Sequence, residues 1–329
     1  MTINIIDPHL HLFNRSLGDY HWLNSENPPF WPDKSLLQRD FTIKDLAIDN
    51  LTSSLTQDKI KLAGFVHIEA GFDNTKPWRE LEYLDNLAME SGSCQKSRTV
   101  ASINLLTTPL DFNQTLDKLQ QHASMIGVRH ILDEQAYSTL ANHNTLRNFA
   151  RLNEVSNLVF ELQLSLADES AKEVMPLLRQ TIANNSQLSF IINHAGFPPT
   201  DINSDAWRLW QKHITTLAKY SNVFIKCSGW EMTDRQYKMS WFSAVSNFCI
   251  GAFSIERVML ASNFPLCLLA NKVGKKLGNG VGSEVGNKLS NKSYQDYWRD
   301  ILESTLIKQC SKKEKNALLY DNALKIYQL

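Results

Sequence analysis

The sequence lacks several features that would assign a protein to a class at once. Its five cysteines among 329 residues are odd in number, widely spaced and without a C-x-x-C pair, which argues against thiol–disulfide chemistry and a cysteine-rich zinc site. No apolar run approaches the ~18–20 residues that a membrane-spanning helix needs. The first residues, MTINIIDPHL, lack the basic and then apolar stretches of a signal peptide. We therefore expect a cytoplasmic protein with reduced thiols.

An excess of charge of one sign is missing as well. The chain has 34 Lys and Arg residues against 34 Asp and Glu residues, a net charge of zero, which predicts neither a nucleic-acid nor a membrane partner. Neither G-x-G-x-x-G nor a Walker A sequence is present, so nucleotide phosphates are not the expected ligand. A small-molecule substrate remains, and the sequence is compatible with a homo-oligomer.

Short apolar, β-branched runs recur along the whole chain and predict eight strands. These runs cover residues 3–6, 62–68, 99–106, 125–132, 158–164, 188–194, 222–228 and 257–262. Their near-continuous hydrophobicity is typical of parallel strands buried on both faces, and stretches with helical spacing lie between them. Eight strand–helix units predict a single (β/α)8 barrel over residues 1–329, rather than a doubly wound sheet.

Polar residues lie at the predicted C-terminal ends of nearly all these strands, where barrel enzymes build their active sites. Such groups would be costly in an apolar core, so together they indicate a polar cavity. His9 and His11 share a parity and can point to the same side of strand 1, and the same is expected of His67 and Glu69 at strand 2. The other polar residues at strand ends include Arg129, Gln163, His194, Lys226 and Asn263. Of these, Lys226 is interpreted as a structural cation.

A series of motifs resembles the amidohydrolase superfamily over the full length and in matching order. They are DPHLHLF at strand 1, YHWL after it, GVRHIL at strand 4, INHAGFP at strand 6, NVFIKCSGW at strand 7, RVMLASNFP at strand 8 and DNALKIYQL at the end. The sequence is most similar to the branch that includes 2-pyrone-4,6-dicarboxylate lactonase and L-fuconolactone hydrolase. The resemblance implies a distorted (β/α)8 barrel and a hydrolase that opens a small lactone, with an anionic or sugar-like substrate.

The resemblance also implies roles for the histidines at the strand ends. In metal-dependent amidohydrolases the strand 1 pair, a strand 6 histidine and a strand 8 aspartate surround a divalent metal such as zinc. Carried over, the metal ligands are His9, His11 and His194, and the fourth position is Asn263. The dicarboxylate lactonase needs no metal, because its histidines and arginines polarise the lactone carbonyl. The resemblance therefore leaves both zinc and no cofactor open.

The residues expected to bind the substrate surround these histidines. Arg129 matches the strand 4 arginine of the family, whose planar guanidinium would hold a carboxylate or polarise a carbonyl oxygen. Trp22, in YHWL, matches the aromatic residues that cover the substrate. His67, Glu69 and Gln163 complete the predicted substrate-binding set.

Position 263 departs from the family pattern, because asparagine replaces the strand 8 aspartate. An amide cannot take a proton from water, and it binds metal only weakly through its carbonyl oxygen. We therefore expect a histidine to activate the water, and sub-stoichiometric metal in the purified protein.

Two other functions remain open at this stage. Related amidohydrolases are metal-dependent decarboxylases of aromatic or unsaturated acids, but these normally keep the strand 8 aspartate. A non-catalytic barrel that binds a small molecule is the other alternative, and Asn263 favours it. Residues 270–292, rich in Gly, Asn and Lys, are predicted to form a loop on the same face as the site.

Overall fold

The computed structural model describes residues 2–48, 51, 58–91, 96–270 and 292–329, so most of the predicted loop 270–292 lies outside the described residues. Eight parallel strands in this part of the chain form one sheet in sequential order. A bridge between Leu10 and Phe264 brings the first and last strands together. The fold is a (β/α)8 TIM barrel, as the sequence predicts.

Each predicted strand overlaps an observed one. The strands are β1 (Thr2–Leu10), β2 (Lys59–Ile68), β3 (Lys96–Ser102), β4 (Met125–Ile131), β5 (Val159–Gln163), β6 (Ser189–Ile192), β7 (Val223–Cys227) and β8 (Val258–Leu260). Four predicted C-terminal ends are wrong by two residues or more. β1 ends at Leu10 and β8 ends at Leu260. β3 ends at Ser102, and β6 ends at Ile192 because the chain turns into a 3-10 segment, Asn193–Gly196, in which His194 has a left-handed φ of 52°.

The helices follow the strands around the barrel. They are α1 (Trp78–Ser91), α2 (Pro109–Leu119), α3 (Ala136–Ala141), α4 (His143–Asn153), α5 (Ala171–Asn184), α6 (Asp205–Leu217), α7 (Trp230–Thr233), α8 (Met239–Phe253), α9 (Tyr294–Glu303), α10 (Thr305–Gln309), α11 (Lys312–Asn316) and α12 (Asn322–Ile326), with a π-helical turn at Ala317–Asp321. Ser311 and Glu314 form a capping box at the start of α11. Within the described ranges, none of these helices has the length and apolar character to cross a bilayer.

Apolar side chains of the strands pack against the C-terminal segment of the chain. A buried cluster joins strand residues to this segment: Ile6, Val66, Ile68, Val100, Ile126, Val159, Ile191 and Met259 pack with Ala323 and Tyr327. Side chains of this kind fill the interior of TIM barrels. The buried pair of Glu161 and Lys226 meets this cluster at Tyr327, and other polar side chains lie toward the carboxyl end of the barrel.

Candidate active site

A cavity of about 740 Å³ opens at the carboxyl ends of the strands. It is lined by seven of the nine predicted site residues: His11, Trp22, Glu69, Arg129, Gln163, His194 and Asn263. His9 lies beside this group with its ring fully buried. The barrel thus brings together residues that are up to 252 positions apart, from His11 to Asn263 (263 − 11).

Three histidines form a compact cluster in this region. The ring centroid of His9 lies 5.2 Å from that of His11 and 4.7 Å from that of His194. Burial lowers the pKa of His9 and His11 well below the ordinary 6.5 and that of His194 to about 3, and the positive charges of Lys226 and Arg129 act in the same direction. At neutral pH all three imidazoles are uncharged, so each carries one donor and one acceptor nitrogen.

Hydrogen bonds orient two of these rings. His11 Nδ1 lies 2.7 Å from the carbonyl oxygen of Ile68, so Nδ1 donates a proton and Nε2 keeps a lone pair. His194 Nδ1 lies 3.0 Å from Oγ of Ser228. The next residue, Gly229, has a φ of +67°, and a Cβ there would lie only 2.3 Å from His194 Nδ1. A glycine is therefore required where the loop after β7 supports this ring.

The third ring, His9, contacts a buried ion pair. Its Nδ1 lies 3.4 Å from Nζ of Lys226, and its Nε2 is buried with no hydrogen-bond partner among the described residues. Lys226 Nζ lies 2.7 and 2.8 Å from the two carboxylate oxygens of Glu161, which also accepts from the Tyr327 hydroxyl. Burial lowers the pKa of Lys226 to about 8, against the opposing charge of Glu161. The lysine predicted to be a structural cation therefore touches the site.

Arg129 is held by two other predicted residues. Its Nε donates to Glu69 Oε1 at 2.7 Å, and its Nη2 donates to the backbone oxygen of Glu69 at 2.7 Å. Its Nη1 donates to Gln163 Oε1 at 2.9 Å, and Gln163 Nε2 donates in turn to Asp133 at 3.3 Å. The guanidinium and both partners border the cavity. Strands β4 and β5 and the loop after β2 thus meet in one polar network.

Asn263 contacts a carboxyl group that the sequence analysis missed. Its backbone N donates to the His9 oxygen at 2.9 Å, and its Nδ2 donates to Glu231 Oε1 at 2.6 Å. Glu231 is buried in α7, and its Oε2 has no hydrogen-bond partner within the described ranges. Burial raises the pKa of Glu231 to about 7, and the bond from Asn263 opposes this shift. A titratable carboxyl group therefore lies beside the position of the family's aspartate.

The position of Glu231 explains why it was missed. It lies in the short helix α7, four residues beyond the end of β7 at Cys227, and so not at a strand end. The only signal was a polar residue in the segment SGWEM, close after a motif that already resembled the family.

His67 is not brought to the cavity. Its Nδ1 accepts from the backbone N of Leu12 at 3.2 Å, and its Nε2 lies 2.9 Å from Oε1 of Glu80 on α1. The sequence predicts that His67 and Glu69 point to the same side of β2, but they do not. β2 ends at Ile68, and the alternation of side chains ends with the strand. The ring of His67 instead joins β2 to α1.

The donor set does not fit a tightly held divalent cation. Zinc sites use neutral imidazole, thiolate or carboxylate ligands, four in structural sites and three with a water in catalytic sites. Here the three imidazoles have no anionic ligand beside them at the fourth position, which is the amide of Asn263 with its nitrogen bonded to Glu231. In the part of the chain that the structure describes, no group of three or more His, Cys, Asp or Glu side chains is arranged to hold a metal ion.

The free energy of unfolding should depend on pH because the carboxyl group of Glu231 is buried. A pKa of about 7 in the folded protein, above the ordinary 4.5, means that the folded state binds this proton more tightly. Stability from this group is present below pH 4.5 and is lost as pH rises through 7. We expect the free energy of unfolding of Glu231→Gln, relative to the unchanged protein, to rise by on the order of 3 kcal/mol between pH 5 and 8.

Denaturant unfolding at several pH values measures this difference. Glu134→Gln is the matched control, because Glu134 also lies near the site but is exposed. Because this side chain is exposed to water, its substitution should not show the rise expected for Glu231→Gln. An equal pH dependence in both variants would contradict the assignment.

The chain matches a known family of proteins over nearly its whole length. The amidohydrolase family model matches residues 6–329. This chain belongs to the amidohydrolase family. A relative from Sinorhizobium fredii, an uncharacterized protein called y4mH, is 25% identical over 334 residues, 99% of each chain.

Solved structures of other amidohydrolases share the barrel. One from Burkholderia multivorans, solved with HEPES bound, is 20% identical with a TM-score of 0.71 over 99% of this chain and 100% of the other. A second crystal form of it contains zinc. A probable 2-pyrone-4,6-dicarboxylic acid hydrolase from Acinetobacter baumannii, with citric acid bound, is 16% identical with a TM-score of 0.64 over 99% and 100%. These likenesses establish the fold of this amidohydrolase.

Proposed function

We propose that this amidohydrolase opens a small, uncharged, hydroxylated lactone such as a sugar lactone. The proposal rests on the hydrogen bonds that Arg129 already makes. Its guanidinium is the group expected to hold a substrate carboxylate. Three of its five N–H groups are already bonded, from Nε and Nη2 to Glu69 and from Nη1 to Gln163. Recognition of a carboxylate by arginine normally needs two parallel N–H groups facing the ligand. The parallel Nε and Nη2 pair of Arg129 is not free, because both of these nitrogens are bonded to Glu69.

The charge of the cavity also disfavours an anionic substrate. Glu69 pairs with Arg129, with both side chains at most 7% exposed, so the cation is neutralised before a substrate enters. Asp133 and Glu134 add two further carboxyl groups to the described lining, and the lining histidines are uncharged. A carboxylate on the substrate would meet groups of its own sign, which costs binding energy.

The remaining lining suits a hydroxylated ring. Carboxyl and amide side chains at Asp133, Glu134, Gln135 and Gln163 can bond several hydroxyl groups. The indole of Trp22, fixed by its Nε1–H bond to the Ala70 oxygen at 2.8 Å, supplies an apolar wall. Trp31 packs edge-on against it, with ring centroids 6.3 Å apart. An apolar wall with a few placed polar groups is the usual composition of a small-molecule site.

His11 is the best placed general base. It lines the cavity, it is neutral at pH 7, and its Nδ1–H bond to Ile68 leaves the lone pair on Nε2. In the proposed reaction Nε2 takes a proton from water as the water oxygen attacks the lactone carbonyl carbon. The ring C–O bond then breaks, and the proton passes from His11 to the leaving oxygen, which gives a hydroxy acid.

Hydrolysis of a lactone panel tests the proposed function. Each turnover at neutral pH releases one proton, so a weakly buffered indicator assay detects it for any neutral sugar lactone. We expect saturable hydrolysis of at least one γ- or δ-lactone of this kind. Release of CO2 from an aromatic acid without lactone opening would instead identify a decarboxylase. Tight binding of a lactone without turnover would identify a non-catalytic barrel.

A further inference from the structure

The buried ion pair below His9 is not used by the reaction described so far. Lys226 on β7 and Glu161 on β5 both have side chains that are 0% exposed. Tyr327, from the C-terminal segment, donates its hydroxyl hydrogen to Glu161. An ion pair so deep inside a barrel is costly to desolvate, so a structural role alone could be filled by apolar residues. Its contact with the histidine cluster suggests a different role.

The chemistry of the ammonium group determines which atom donates and which accepts in the contact between Lys226 and His9. A lysine ammonium has three N–H donors and no acceptor. Two of its contacts are the Glu161 oxygens, at 2.7 and 2.8 Å, and the third is His9 Nδ1, at 3.4 Å. His9 Nδ1 must therefore be the acceptor. A neutral imidazole that accepts at Nδ1 carries its proton at Nε2.

We propose that Lys226 is a positioning residue that fixes His9 in its Nε2–H form, so that His9 offers a hydrogen-bond donor to the substrate carbonyl oxygen and not a lone pair to a metal. The part that concerns the substrate rests on the lactonase function proposed above. His9 Nε2 is buried without a hydrogen-bond partner among the described residues. A buried donor of this kind is satisfied when a ligand oxygen reaches it.

The two histidines of strand 1 then have opposite and complementary forms. His11 donates through Nδ1 to Ile68 and keeps its lone pair on Nε2, whereas His9 accepts at Nδ1 and keeps its proton on Nε2. Their ring centroids are 5.2 Å apart. Ester hydrolysis needs one acceptor for the water proton and one donor for the developing oxyanion. One His-x-His pair supplies both.

Imidazole ¹⁵N NMR of the full-length, chelator-treated protein tests the proposal without any assay of activity. Long-range ¹H–¹⁵N correlations distinguish a protonated from an unprotonated ring nitrogen, and loss of signals in His9→Gln assigns the ring. At neutral pH we expect His9 to be protonated at Nε2 and His11 at Nδ1. Observation of His9 protonated at Nδ1 would overturn the proposal.

A double variant, Lys226→Met with Glu161→Gln, gives a second test by removing both buried charges together. Without the ammonium, His9 Nε2 can present a lone pair. Calorimetric titration with Zn²⁺ should then show at least tenfold tighter binding than in the unchanged protein. Tyr327→Phe is the control, because it alters the same network but keeps the ammonium, and its zinc affinity should not change. Equal affinity in the double variant and the unchanged protein would overturn the proposal.

The outcomes separate this inference from the proposed function. If no lactone is hydrolysed but His9 is protonated at Nε2, the role of Lys226 stands and the lactonase function fails. If lactones are hydrolysed and His9 is protonated at Nδ1, the lactonase function stands and the role of Lys226 fails. Should the double variant fail to fold, the NMR measurement on the unchanged protein still decides.

Discussion

Replacing His11 with asparagine should lower kcat/KM for the lactone by about 10²–10⁴-fold, the usual contribution of general base catalysis. Asparagine can keep a hydrogen bond to the Ile68 oxygen, but it cannot accept a proton from water. In the unchanged enzyme the lowered pKa of His11 keeps its imidazole neutral, so kcat/KM should stay level as pH falls to the ordinary histidine pKa of 6.5. Steady-state kinetics over this pH range measure both effects.

The chain offers a matched control for this substitution. His213 on α6 is also buried, and its Nδ1 lies 3.0 Å from the backbone oxygen of Leu166, much as His11 Nδ1 lies against Ile68. It does not line the cavity. His213→Asn should therefore keep kcat/KM within about twofold while it costs stability on the order of 1 kcal/mol. A similar loss of activity in both variants would mean that His11 has only a structural role.

Replacing Asn263 with aspartate should lower turnover rather than restore a missing base. The new carboxyl group would lie against Glu231, whose Oε1 is 2.6 Å from Asn263 Nδ2. Two buried carboxylates at this distance cannot both ionise, so they must share a proton or move apart. We expect kcat to fall by about 10–100-fold, as small displacements at a reacting centre can do, and the free energy of unfolding to fall by about 2–3 kcal/mol.

A second variant separates charge repulsion from other effects of the new residue. Asn263→Asp combined with Glu231→Gln again pairs one carboxyl group with one amide, in reversed positions. It should recover most of the lost stability, measured by denaturant unfolding. A clear gain of lactone hydrolysis in the single aspartate variant would show instead that Asn263 replaced a working base in a decayed enzyme.

The barrel was predictable because its signal is local. Each buried parallel strand appears as a short apolar run, and eight such runs separated by helical spacing leave few alternatives. The positions of His11, His194 and Asn263 near one cavity follow from the same signal, since residues after parallel strands meet at one end of a barrel. Errors occurred where the strand ended sooner than the apolar run, as at Ile192 before His194.

What the sequence could not provide were the partners of each polar group. Parity indicates the face on which a side chain lies but not which distant residue it meets. Glu69 is 60 positions from Arg129, and Glu231 is 32 positions from Asn263. The contact between Lys226 and His9 spans 217 positions. Each of these pairs changes the chemistry assigned to the predicted residue, and each depends on the closed barrel.

Comparison of two lactones that share a ring and differ by one carboxylate tests the central claim most directly. An aldonolactone and the lactone of the corresponding aldaric acid form such a pair. Because Glu69 neutralises Arg129 and further carboxyl groups line the cavity, kcat/KM should be at least about tenfold higher for the neutral lactone. A higher kcat/KM for the carboxylated lactone would contradict the account.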